Sequence, residues 1–145
     1  MPIDSLNFVH FIQAQDFQYQ DALDELRAGH KETHWIWFIF PQLKALGRST
    51  MARRYGLENA QEAVAYWAHP ILGPRLRECI QTILALEGKS AAEILGDIDA
   101  LKFRSCLTLF SAALPSEPCF VEALDRYYQG SLDPLTLELL QRGDA

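Results

Sequence analysis

Apolar residues in this chain recur at three- and four-residue steps, and Gly, Pro or a capping Ser, Asp or Asn interrupts the recurrence again and again. That pattern constrains the fold more than any other feature. It calls for many short amphipathic helices rather than strands, whose side chains alternate with a period of two. Asp4 or Ser5 is placed to cap a first helix carrying Leu6, Phe8, Val9, Phe11 and Ile12. A second helix is expected over residues 19–28, with Tyr19, Ala22, Leu23 and Leu26 inward and Gly29 as its terminator. Ser49 predicts a short helix over 50–55, and Asn59 another over 60–69. Leu72, Leu76, Cys79, Ile80, Ile83, Leu84 and Leu86 predict a long helix with Pro74 confined to its first turn. Ser90 and Glu93 match a capping box. Further helices open at Asp97 or Asp99, at Ser116 with Pro118, and at Asp133-Pro134. Between them, His34–Phe40 is apolar on both alternation faces and reads as a short helix stopped by Pro41.

No hairpin signal, repeat or linker interrupts this series. The expectation is an all-α single domain spanning residues 1–145, with six or more irregularly packed short and medium helices. No apolar run approaches the roughly 18 residues needed to cross a bilayer. A net charge of −6 argues against membrane surfaces and makes nucleic acid an unlikely partner, although Arg48, Arg53 and Arg54 form a small basic cluster. Cys79, Cys106 and Cys119 are widely spaced, form no CxxC pair and sit among apolar neighbours. They read as buried thiols, and with no signal-peptide pattern at Met1–Ser5 they suggest the cytoplasm. His30 and His34 have a zinc-helix spacing, but Lys31 stands where a metalloprotease carries Glu and Gly29 has already ended the helix. No metal or other cofactor is expected.

Three stretches carry chemistry. The first is Lys31-Glu32-Thr33-His34-Trp35-Ile36-Trp37-Phe38-Ile39-Phe40-Pro41-Gln42. Its aromatic rings supply core or ligand walls, His34 is a proton carrier, Lys31 an anion partner, and Gln42 both donor and acceptor. The second, His69-Pro70-Ile71-Leu72-Gly73-Pro74-Arg75-Leu76, is either a rigid helix–helix corner capped by His69 or an anion site completed by Arg75. In the third, Asp99, Lys102, Ser105 and Thr108 recur at steps of three and either line a pocket or pack helices. Asp24-Glu25 reads as solvated charge on a helix exterior.

Taken in order, Ala14-Gln15, Tyr19, Ala22-Leu23, Lys31, His34-Trp35, Trp37-Phe38, Phe40-Pro41-Gln42, Tyr55, His69-Pro70, Leu72-Gly73, Arg75-Leu76, Asp99, Lys102, Ser105 and Thr108-Leu109-Phe110 resemble a bacterial domain-of-unknown-function family. Its members are often mislabelled "calpastatin", and it includes an all-helical mycobacterial hypothetical protein. The resemblance implies an irregular all-helical architecture and brings no established activity. At fold level it extends to small helical N-glycosidases acting on ribosylated or ADP-ribosylated compounds, an analogy that does not by itself carry function. Cys106 and Arg104 depart from the family pattern.

The resulting expectation is a site for a small anionic or nucleotide-like ligand, with possible N-glycoside or ADP-ribose-related hydrolysis as its chemistry. His34 and Asp99 would be catalytic. Lys31, Trp35, Trp37, Gln42, Tyr55, His69, Arg75, Lys102 and Thr108 would bind the ligand. The alternative is a non-enzymatic module whose aromatic block forms a partner or dimer surface.

Overall fold

A computed structural model describes residues 8–143. Its helices are α1 (Val9–Ala28), α2 (Ile36–Ile39), α3 (Thr50–Arg54), α4 (Ala60–Ala68), α5 (Leu72–Leu84), α6 (Ala91–Leu95), α7 (Asp97–Ala113), α8 (Pro118–Tyr128) and α9 (Pro134–Gly143), with a 3-10 turn at Lys44–Leu46. The described residues contain no strand beyond an isolated parallel bridge between Leu43 and Leu57. No helix among them is long and apolar enough to cross a membrane.

Local caps explain most boundaries. Ser49 accepts a hydrogen bond from the Ala52 amide and starts α3, while Asn59 accepts one from Glu62 and starts α4. Ser90 and Glu93 form the full reciprocal capping box of α6. Asp133 accepts from the Thr136 amide at 3.1 Å at the head of α9. Pro74 lies in the first turn of α5, where its missing N–H costs nothing. The segment His34–Phe40 does form a short helix before Pro41.

One expectation changes. The two N-terminal helices are a single twenty-residue helix, α1. Phe11, Gln15, Ala22 and Leu26 share its buried face, so a glutamine occupies a position where the apolar stripe lapses. No Gly or Pro falls between Val9 and Ala28 to break the helix. The expected caps Asp4 and Ser5, and Leu6, lie outside the described residues. Gly29 ends α1 in the left-handed conformation (φ 73°), and its amide donates to the Glu25 and Leu26 carbonyls.

The core gathers around α7, whose Phe103, Cys106, Leu107, Leu109 and Phe110 are wholly buried against α4, α6 and α8. Trp35, Phe40, Tyr66 and Phe120 join them from α2, α4 and α8 and their flanks. All three cysteines are buried and free, and burial pushes the Cys79 thiol up to about 12. The α4–α5 corner is tight: a Cβ on Gly73 would stand 1.9 Å from the Trp67 carbonyl oxygen. Gly73→Ala therefore forces the two helices apart. A loss of about 1–3 kcal/mol is expected in urea denaturation, the range for overpacking a well-packed contact.

Candidate functional site

One polar cluster is built on a carboxylate expected in solvent. Glu25 is only 9% exposed. Its Oε1 accepts from the Glu32 amide (2.7 Å), the Thr33 amide (2.9 Å) and the Trp35 indole Nε1 (2.9 Å), and its Oε2 from the Thr33 hydroxyl (2.6 Å). Burial alone would raise its pKa. The hydrogen bonds from Thr33, Glu32 and Trp35 outweigh it and hold the carboxyl at about 2. Residues 30–35 thus form a strap pulled against the end of α1. Neighbouring Asp24 is the solvated member of the pair. The correction has a signal in the pattern: Glu25 follows Ala22 by three and flanks the stripe of Ala22, Leu23 and Leu26.

The strap then crosses to the start of α7. The Lys31 amide donates to the Ile94 carbonyl at 2.7 Å. Its ammonium stands 2.9 Å from Asp99 Oδ2, donates to the Thr33 carbonyl, and lies 4.9 Å from the centroid of the Trp35 ring. Lys102 Nζ approaches the other oxygen of Asp99, at 3.8 Å. The side chains are 7% (Lys31), 19% (Asp99) and 25% (Lys102) exposed. Two ammonium groups share one carboxylate, so among the described residues the ion pairs of this partly desolvated cluster carry one positive charge in excess. Asp99 in the first turn of α7 is also favoured by the helix dipole. His34 is exposed on the same strap, and neither it nor His30 sits in a helix. No three His, Cys, Asp or Glu among the described residues are grouped to hold a metal ion.

The other expected site residues have different neighbours. Arg75 pairs with Asp16 at 2.9 Å, donates to Gln15 Oε1 at 3.4 Å, and lies over the Tyr19 ring at 5.1 Å. Gln15 Nε2 in turn donates to the Phe38 carbonyl (2.7 Å) and the Tyr66 hydroxyl (2.9 Å). His69 Nδ1 accepts from the amides of Ile71 (3.1 Å) and Leu72 (3.3 Å), which makes it the pivot of the α4–α5 corner. Tyr55 is buried and stacks on His10 at 5.7 Å. Thr108 is fully buried; its hydroxyl donates to the Arg104 carbonyl (2.8 Å) and accepts from the Asp133 amide (3.0 Å). Trp37 is half-buried against the core, and Gln42 is half-buried with its carbonyl accepting from Leu57.

Lys31, Trp35, Asp99 and Lys102 therefore come together, while Arg75 joins the face of α1. The aromatic block is interior: Trp35, Ile36, Phe38, Ile39 and Phe40 are each at most 3% exposed. The indole N–H of Trp35 is satisfied by Glu25 and its face is covered by Lys31, which leaves Trp37 as the partly exposed ring of the block. Three hollows lined by described residues, of about 150, 370 and 450 Å3, lie elsewhere and contain none of the expected site residues. Glu25 and Gln15 are the polar residues at the centre of these networks that sequence reading did not single out as site groups.

These features define a class: an irregular all-helical protein with a carboxylate-bound strap carrying a lysine onto an acidic helix start. The chain belongs to the family described as "Protein of unknown function (DUF1810)", whose profile matches residues 5–140. It is similar to the crystal structure of the conserved hypothetical protein Rv1873 from Mycobacterium tuberculosis, with 45% identity and a TM-score of 0.89. That match covers 91% of this chain and 94% of the mycobacterial one. No curated protein matches the chain.

The Glu25 network sets an acid limb of stability. Its folded pKa of about 2 lies below the ordinary 4.5, so its contribution is complete above pH 4.5 and fades as pH falls towards 2. Urea midpoints measured between pH 2 and 6 should fall across this window. Glu25→Gln should flatten the limb and lower stability at pH 6 by about 1.5–3 kcal/mol, the scale of lost charge-assisted hydrogen bonds.

Proposed function

We propose that the strap and the start of α7 bind a small anionic, nucleotide-like ligand, with Lys102 as its principal cation. The observation that carries this reading is the division of labour between the two lysines on Asp99. Lys31 is nearly buried and spends its ammonium on Thr33, Asp99 and the Trp35 face. Lys102 is partly exposed, stands beyond hydrogen-bond distance from Asp99, and makes no hydrogen bond with the described residues. Its N–H groups are open to a phosphate or carboxylate, and the surplus positive charge favours one. His34 on the exposed strap supplies a second polar group with ring nitrogens that can hydrogen-bond to the ligand.

N-glycoside or ADP-ribose-related hydrolysis at this site would use Asp99 to orient water or face an oxocarbenium-like centre, and His34 to carry the proton. Binding is the better supported half, because both oxygens of Asp99 already face lysine ammonium groups. A cytoplasmic setting fits the three free, buried thiols.

Calorimetric titration with ADP-ribose, AMP and ribose 5-phosphate tests the reading. At least one should bind, Lys102→Ala should weaken it about tenfold, equivalent to about 1.4 kcal/mol, and the fold should be unchanged. Absence of heat and of tryptophan fluorescence change with all three overturns it. Chromatography of the bound compound after incubation separates hydrolysis from binding alone.

A further inference from the structure

A hollow lies away from Lys31 and Lys102, between α9, the 3-10 turn and the head of α4. The hollow there has a volume of about 150 Å3. Its walls are mainly aliphatic: Leu43, Ala45 and Ala60, with Leu139 and Leu140 from α9. An aliphatic space of about 150 Å3 is large enough to seat one six-membered ring.

Two polar residues also line it, and they differ in what they have left to offer. Glu58 is turned to Lys44, with 3.0 Å between carboxylate and ammonium at the exposed rim. Asn59 is committed at only one end of its amide. Its Oδ1 accepts from the Glu62 amide at 2.8 Å to cap α4, which fixes the plane of the side chain. Its Nδ2 makes no hydrogen bond among the described residues. The hollow therefore combines an apolar cup with a lining residue whose amide N–H groups are unspent. That combination recognises an apolar ring bearing a single acceptor, since the ring replaces water against the leucines and the acceptor meets the amide.

We propose that this cup binds a monocyclic aromatic molecule carrying one hydrogen-bond acceptor, of the phenol or benzyl alcohol type. Occupancy would join α9 to the head of α4 and stabilise the protein by mass action.

Phenol and toluene have nearly the same shape and differ in the acceptor, so a methyl-detected NMR titration with each is the test. Both should shift the methyl signals of Leu43, Leu139 and Leu140, with phenol binding about fivefold to tenfold tighter, the worth of one net hydrogen bond. Asn59→Ser keeps an oxygen for the helix cap and removes Nδ2; it should bring phenol down to the level of toluene. Ala60→Leu fills the cup and should abolish both. Equal affinity of the two probes for the unmodified protein, shifts confined to other leucines, or binding that survives Ala60→Leu would overturn the proposal.

Discussion

The arrangement rests on one carboxylate held away from water. Glu25 would be an expensive group to bury without partners, and it receives four hydrogen bonds from residues 32–35. That demand dictates the path of the chain after α1. It seats the Trp35 indole with its N–H satisfied, which lets a large ring sit fully buried. It also turns Lys31 inward, to a place where only an acidic partner makes burial tolerable, and Asp99 at the head of α7 is that partner. A helix end, a strap, an aromatic core residue and a surface cluster thus share a single cause.

Gln15 plays a comparable part deeper in the molecule. Its amide donates to α2 and α4 and accepts from Arg75 on α5, so one polar side chain ties four helices. No buried side-chain nitrogen or oxygen among the described residues lacks a partner. An interior of this kind specifies its packing through directional bonds as well as through shape.

What the sequence made legible follows from the range of the interactions. Caps at Ser49, Asn59, Ser90 and Asp133 act over three residues, and each helix start was readable there. Composition and spacing likewise placed the three cysteines in the core. The spacing in α1 suggests two helices because Gln15 interrupts the apolar stripe, and its partners Phe38, Tyr66 and Arg75 are distant in sequence. The burial of Glu25 is concealed for the same reason, since a charged residue beside Asp24 declares burial only through its partners. At the candidate site, the spacing of Asp99 and Lys102 suggested a pair. The shorter contact to Asp99 comes from Lys31, 68 positions away along the chain, and no local pattern encodes it.

The strap has a kinetic consequence as well. All four bonds to Glu25 close loops of seven to ten residues. The entropy lost in closing so short a loop is small, so this element can assemble with little help from the rest of the chain. The bonds of Gln15 span 23, 51 and 60 residues and must wait until distant helices meet. The chain therefore carries an early-forming reversal at the end of α1 and a late-forming lock near its beginning. The same helix contributes the acceptor for the first and the amide for the second.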